Sequence, residues 1–359
     1  MKVSVALITY NHERYIAQAI ESVLMQQTNF DFDLVIGEDC STDRTREIVQ
    51  DFHQRYPEKI HLVLAEKNNG ALQNIIHTTE ACHGEYLAAL EGDDCWISPE
   101  RLQQQADFLD QHPDFAVCFG NARVFYEDRS RADHLHRPEN QKEVTTLEDL
   151  IKDTNFIPSC TVMYRRSCVK SLPVWAKNLP MTDWLNNILA AQYGKIGYIN
   201  KVYGAYRVHP GGIWSRLPMV DHLQADIYFY EVINRYFRHR YDKIIKTQIQ
   251  NRWEKMDQFF IWPALETAQQ MAEPMTDAII FKKLRPEVTV QPGWKKKIAS
   301  QVYPKLFFDS YQRQEIEKVR IYWWKAVRYS PSLLLNRGAW VIVIKSILAG
   351  RRTSSTNKR

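Results

Sequence analysis

The chain has 359 residues, 45% of them hydrophobic and 25% charged, and a formal net charge of +5. That usage excludes collagen-like, low-complexity and fully disordered chains, and the length allows one large domain or two ordinary ones. No run of about 18 apolar residues occurs, which excludes a polytopic membrane protein.

Val3 to Ile8 is a short, β-branched apolar run, as expected of a strand buried on both faces. It is too short to be the apolar core of a signal peptide, lacks a small-residue cleavage site, and runs straight into polar motifs. Glu13 to Gln27 places Tyr15, Ile16, Ala19, Ile20, Val23 and Leu24 on one helical stripe. Leu34 to Ile36 predicts a second strand. Ser41, Thr42 and Asp43 offer helix caps, and the helix that follows stops at Pro57. A third strand is predicted at Ile60 to Leu64, a turn at Asn68-Asn69-Gly70 and a helix from Ala71 to Cys82. Tyr86 to Leu90 is a fourth strand, Pro99 opens a helix to about Gln111, and Phe115 to Phe119 is a fifth strand. Residues 129–149 are polar and predict an exposed excursion. Further on, a strand is expected at Thr161 to Tyr164, a helix at Thr182 to Gln192, and a strand and turn at Ile196 to Tyr206. Beyond Ser215 the alternation stops. Helical character follows at Asp221 to Arg238, Lys243 to Met271 and Tyr311 to Tyr329, with a Pro- and Lys-bearing stretch at Phe281 to Ser300.

Strand–helix alternation predicts an α/β domain with a mostly parallel sheet flanked by helices over about 1–215, and a mainly helical region over 216–359. In such sheets ligands bind beyond the carboxyl ends of the strands. The segments there are polar: Thr9-Tyr10-Asn11, Gly37-Glu38-Asp39, Glu66-Lys67-Asn68 and Glu91-Gly92-Asp93-Asp94. Adjacent carboxylates at a strand end repel one another. A hard cation such as Mg²⁺ or Mn²⁺, which takes one or two carboxylates plus a phosphate, removes the conflict; a turn capping the helix after Pro99 is the plainer alternative. A carboxylate at the end of the second strand can accept hydrogen bonds from a base or ribose, although Ser41 or Asp43 as a cap also fits. The tyrosine face of Tyr10 can stack on a base. Neither G-x-G-x-x-G nor G-x-x-x-x-G-K-[ST] is present, so a diphosphate must be met by a metal and basic side chains.

Val-Ala-Leu-Ile-Thr-Tyr-Asn at 5–11, Glu-Asp-Cys-Ser-Thr-Asp at 38–43, Asn-Asn-Gly at 68–70 and Glu-Gly-Asp-Asp at 91–94, in this order, resemble the family 2 inverting glycosyltransferases. The resemblance covers about 1–215 and implies the GT-A fold, a nucleotide-diphospho-sugar donor (a UDP-sugar first) and Mg²⁺ or Mn²⁺. It implies that Thr9, Tyr10, Asn11, Glu38, Asp39, Asn69 and Asp93 surround the nucleoside, with Asp94 as the metal carboxylate. Glu38 and Glu91 stand where the family more often has Asp. Thr182-Asp183-Trp184 resembles the family's catalytic-base segment, which makes Asp183 the base that takes the acceptor proton and Trp184 an acceptor contact; a helix cap is the alternative for Asp183. In the Gly-rich loop Tyr206 to Ser215, the resemblance makes His209 a metal or diphosphate ligand, with a structural histidine as the alternative, and the guanidinium of Arg207 can balance phosphate charge. The Q-x-x-R-W motif of the family's processive, membrane-embedded polymerases is absent, which points to transfer of a single sugar.

Residues 281–359 carry 18 Lys and Arg against four acids, a net +14, while the rest of the chain is net −9. Trp294 to Lys297, Tyr322 to Lys325 and Ala339 to Lys345 interleave aromatics, aliphatics and bases. That composition suits helices lying on an anionic membrane surface, at the inner face of the cell membrane; helices packed into a domain of their own are the alternative. Nucleic acid is not expected as a partner, since no zinc-finger or RNP-like pattern accompanies the basic tail. The rival functions are a nucleotide-sugar or glycan-binding protein without catalysis and a sugar-nucleotide nucleotidyltransferase. The latter needs an N-terminal Gly-rich phosphate loop that this sequence lacks. The six cysteines are scattered without C-x-x-C, which predicts reduced, packed thiols in a cytoplasmic protein rather than a disulfide framework or zinc site.

Overall fold

A computed structural model of the chain describes residues 1–169, 172, 173, 175, 176, 179, 181–212, 214, 217–256, 274, 276, 277 and 294–356. It falls into two compact units, Met1–Pro218 with Ala225–Gln248, and Met219–Gln224 with Ile249–Arg359.

The first unit is built on one ten-stranded sheet. In chain order its elements begin β1 (Val3–Thr9), α1 (Ile16–Leu24), β2 (Phe32–Glu38), α2 (Thr45–Arg55), β3 (Ile60–Leu64), α3 (Ala71–Glu80), β4 (Tyr86–Glu91), β5 (Cys95–Trp96), α4 (Arg101–Gln111) and β6 (Phe115–Tyr126). There follow β7 (His134–Leu135), β8 (Val144–Thr145), α5 (Leu147–Lys152), β9 (Met163–Arg165), α6 (Thr182–Ala190) and β10 (Lys195–Val208), while α7 (Met219–Tyr236) and α8 (Asp242–Met256) are each divided between the two units. The strand order is β3-β2-β1-β4-β9-β6-β10-β5. Strands β3, β2, β1 and β4 are parallel, and every residue of β2 is buried. That explains their continuous apolar sequence, because crossover helices cover both faces. Ile16, Ala19, Ile20 and Val23 of α1 are fully buried in this core.

The other half of the sheet is mixed. Strand β9 runs antiparallel between β4 and β6, and β10 runs parallel to β6. Strand β6 extends seven residues beyond the expected Phe119, because β10 runs beside it along its full length. Strand β10 crosses register irregularities on either side of Val202, where the exposed Lys201 leaves the pairing. The expected excursion at 129–149 contains β7, β8 and the start of α5, whose Thr146 and Asp149 form a reciprocal capping box.

In the second unit, α9 (Trp294–Gln312), α10 (Ile316–Tyr329) and α11 (Arg337–Thr356) are described. The predicted helix at 311–329 is broken at Arg313 to Glu315, and residues before the break belong to α9. Tyr303, Phe307, Tyr322 and Trp323 are buried together in a core of their own. Trp324 on α10 is 72% exposed, and Leu335, in the 3-10 turn between α10 and α11, is 87% exposed. Among the described residues no helix is long and apolar enough to cross a membrane. The expected helix at 243–271 is described as far as Met256. Residues 281–293 of the Pro- and Lys-bearing stretch, and Ile213 and Ser215 of the Gly-rich loop, lie outside the described residues.

Candidate active site

A cavity of about 1210 Å³ opens at the carboxyl ends of β1, β2 and β4. The loops that follow these strands are bonded to one another. Asn11, in the left-handed region at φ 55°, accepts the Thr42 N–H on its side-chain oxygen at 2.8 Å, and its own N–H donates to the Ser41 hydroxyl at 2.9 Å. Asp39 lines the cavity, 2% exposed, and its two oxygens accept the N–H groups of Asn69 and Gly70, each at 2.9 Å. Cys40, at φ 59°, follows it half-exposed, with its thiol 3.5 Å from the Glu66 carbonyl. Thr9 is buried on the cavity wall, and Tyr10 stands at the mouth, 38% exposed.

Glu38 is placed differently from the other expected nucleoside residues. It is fully buried, is absent from the cavity lining, accepts the Ser41 N–H at 2.6 Å and pairs with Arg46. Its longer side chain reaches inward to that guanidinium. Asn69 meets the site through its backbone N–H, while its neighbours Asn68 and Gly70 line the cavity.

The turn Glu91-Gly92-Asp93-Asp94 packs tightly on β1. A Cβ at Gly92 would stand 2.7 Å from the Thr9 hydroxyl and 2.9 Å from the His12 ring, so only glycine lets this turn approach. Asp93 Oδ2 lies 3.1 Å from His209 Nε2 and 3.8 Å from His12 Nε2. Burial would raise Asp93, but the His209 bond and the His12 imidazole hold its carboxyl below the usual range. Asp94 is 3% exposed and accepts the Arg207 N–H at 2.8 Å. Burial, then the charges of Asp93 and Glu91, push it well above the ordinary value. Glu91 is pushed up to about 8 by burial and by Asp93 and Asp183, and its Oε2 is a buried atom without a hydrogen-bond partner. Among the described residues no three His, Cys, Asp or Glu side chains are gathered as a metal site. The Asp93 carboxylate, which the His209 and His12 imidazoles face, is an oxygen ligand of the kind that Mg²⁺ or Mn²⁺ accepts beside a diphosphate.

Arg207 is built into the wall. Its Nε donates to the Asp93 carbonyl at 2.9 Å, its Nη2 to Gln18 at 2.6 Å, and its guanidinium lies 4.7 Å from the ring centres of both Tyr15 and Phe125. It therefore clamps the acidic turn to α1 and β10. Tyr15 also meets the His209 ring edge-on at 4.8 Å.

The downstream wall carries Asp183 in the first turn of α6, after the cap residue Met181, so it is not the N-cap itself. Burial raises its carboxyl, against bonds from the backbone at Trp184 and Asp183 and from Asn155, whose amide donates at 2.6 Å. Trp184 lines the same wall but is 2% exposed, with its ring stacked on Phe229 at 4.3 Å and 17°. The face expected to carry an acceptor sugar is thus taken by Phe229, because α7 packs there. His12, Tyr15 and Asn155 were not singled out from the sequence. An imidazole directly after Asn11 at a strand end was a legible signal for His12, whereas Asn155 has none.

A family model, Glycosyl transferase family 2, matches residues 4–172. The protein Rv1520 of Mycobacterium tuberculosis, itself uncharacterized, is 35% identical over 212 residues, 59% of this chain and 60% of that relative's length. The chain therefore spans less than two thirds of that relative. The poly(ribitol-phosphate) beta-N-acetylglucosaminyltransferase TarS of Staphylococcus aureus is 27% identical over 80% of this chain and 52% of its own. The crystal structure of TarS 1-349 in complex with UDP-GlcNAc matches at a TM-score of 0.55 and 18% identity over 90% of both chains. The mannosyltransferase PcManGT of Pyrobaculum calidifontis, in complex with GDP-Man and Mn²⁺, matches at a TM-score of 0.52 and 14% identity over 81% of both. The sheet with its flanking helices and helical C-terminal region is the GT-A fold of these neighbours, and residues 4–172, just under half of the chain, match the glycosyltransferase family 2 model.

Proposed function

We propose that this chain is an inverting, metal-dependent glycosyltransferase that moves one sugar from a nucleotide-diphospho-sugar to a hydroxyl of a glycan or lipid-linked acceptor in surface-polymer synthesis. The observation that carries this reading is one cavity lined at once by Asp39, Asp93 and Asp183. Thr9, Tyr10 and Asp39 take the nucleoside side. Asp93, with His209 and His12, would hold the divalent ion, a role better suited to it than to Asp94, which is bound to Arg207. When bound, that ion supplies positive charge beside the diphosphate leaving group. Asp183 takes the proton of the acceptor hydroxyl as its oxygen bonds to the sugar C1. The C1–oxygen bond to the diphosphate breaks, the nucleoside diphosphate departs with the electron pair, and the anomeric configuration inverts. The likeness to TarS, a poly(ribitol-phosphate) N-acetylglucosaminyltransferase with a structure in complex with UDP-GlcNAc, supports a UDP-sugar donor and a polymer acceptor. Incubation with UDP- and GDP-sugars, with and without Mn²⁺, tests the reading. Metal-dependent consumption of one donor with an inverted product is expected, and a product of retained configuration overturns it.

The surface of the second unit supports a peripheral place at the cytoplasmic membrane face. Trp324, Leu335, Trp340, Val341 and Ile344 are exposed on a segment of net charge +14, the pairing of apolar and basic groups that an anionic lipid surface attracts. The protein should sediment with phosphatidylglycerol vesicles at low salt and not with phosphatidylcholine vesicles. The double change Trp324→Ser, Leu335→Ser should weaken that association, and equal sedimentation of the variant would reject the surface.

A further inference from the structure

Asp183 is held by more than a helix terminus supplies. Asn155 donates its amide to Asp183 Oδ2 at 2.6 Å. The carbonyl oxygen of the Asn155 side chain accepts the Asn187 amide at 3.1 Å, and the Asn187 side-chain oxygen accepts the Tyr164 hydroxyl at 2.6 Å. Asn187 is fully buried and Tyr164 is 5% exposed, so this series runs from the core to the cavity wall. A buried amide without partners costs about 1–3 kcal/mol. Each member is therefore fixed by the next, and the direction of donation is set throughout: hydroxyl to amide, amide to amide, amide to carboxylate.

The backbone at the cavity end of the series is unusual as well. Thr154 lies in the left-handed region at φ 68°. A β-branched residue there is an outlier, costing on the order of 1–3 kcal/mol, and such strain persists only where the surroundings over-determine it. Here the loop between α5 and the turn at Ser159 must present Asn155 to α6. The strained residue and the hydrogen-bonded series thus converge on one carboxylate.

We infer that Asn155, fixed through Asn187 and Tyr164, is a positioning residue that sets the orientation and basicity of Asp183 during glycosyl transfer. This rests on Asp183 being the base. Among the described residues, the charge of Asp183 is felt by Glu91 at the end of β4 and by Tyr164 on β9. Neither donates to it, so Asn155 is the side-chain donor whose loss the carboxylate would register.

The probe is Mn²⁺-dependent hydrolysis of UDP-N-acetylglucosamine by the full chain, followed across pH, with UDP affinity measured by calorimetry on the same preparations. Asn155→Ala should lower kcat by about 10–10²-fold, the usual cost of misplacing a reacting group. UDP affinity should stay within about twofold, since the nucleotide side is untouched. The acid limb of the pH profile should move upward, because a carboxylate deprived of a donor binds its proton more tightly. Tyr164→Phe keeps the ring, should fold where Asn155→Ala does not, and should show the same two changes to a smaller degree. In an Asp183→Asn background, Asn155→Ala should cost nothing further. An inactive Asp183→Asn beside wild-type kcat and acid limb in both Asn155→Ala and Tyr164→Phe would overturn the inference, as would full additivity in the double variant. Near-wild-type hydrolysis by Asp183→Asn alone would instead remove the base reading on which it rests.

Discussion

The two halves of the sheet build the site in different ways. In the parallel half, β3-β2-β1-β4, the strand-end loops are bonded mostly through backbone: Thr42 N–H to Asn11, Asn69 and Gly70 N–H to Asp39, and the Gly92 turn against Thr9. In the mixed half, β9-β6-β10, the contributions are side chains carried on an edge loop, a helix start and a long strand: Asn155, Asp183, Arg207 and His209. Under the proposed function, a nucleotide of fixed shape would be met by the backbone-bonded half. An acceptor varies between enzymes of one fold, and side chains on loops vary most easily.

The largest effect is expected at the acidic turn, where both halves meet. Asp93→Ala should weaken Mn²⁺-dependent UDP binding by more than about 10²-fold, whereas Asp94→Asn, which touches Arg207 rather than the imidazoles, should cost at most about 10–10²-fold, the range of supporting contacts around a metal. Calorimetry with UDP and Mn²⁺ orders the two, and equal losses would erase the distinction between them.

A matched pair of glycine changes sharpens the contrast. Gly92→Ala drives a methyl against Thr9 and His12, and Gly120→Ala drives one to within 2.3 Å of the Tyr203 ring in β10. Each should cost about 1–3 kcal/mol in urea unfolding as overpacking. Only Gly92→Ala should also weaken UDP binding, because only that turn belongs to the backbone-bonded half.

The smallest effect is one of pH. Burial pushes His136, on the cavity wall, down to about 4. Between pH 6.5 and 4 the unfolded chain binds the proton that the folded imidazole refuses, so stability falls as pH drops through this window, by on the order of 2–3 kcal/mol. Glu91 gives the opposite slope: its carboxyl is raised to about 8, so the stability it contributes is lost as pH rises from about 4.5 towards 8. His136→Phe should flatten the acid side of the stability profile and Glu91→Gln the alkaline side, each read from urea midpoints.

The parallel half was legible because its signals are local. Strand β3 falls on the residues that alternation predicts, and Asp39 and Asp93 follow their strands directly. Glu38 misled because strand-end position does not reveal which way a carboxylate turns, and Arg46, eight residues on, decides that. In the mixed half the extra length of β6 comes from a partner some 80 residues away, and Trp184 is covered by Phe229 from α7. Asp183 could be picked out because Thr182-Asp183-Trp184 resembles the catalytic-base segment of family 2 glycosyltransferases. Asn155 could not, since its role exists only through Asn187 and Tyr164, which lie on other elements.

Five of the six thiols are buried, and Cys40, next to the cavity-lining Asp39, is the half-exposed one. A maleimide dye added to the native protein should therefore couple at a single position. Its emission would report the arrival and departure of nucleotide without an acceptor in hand, and protection of that thiol by UDP would give a screen for donors that needs no product at all.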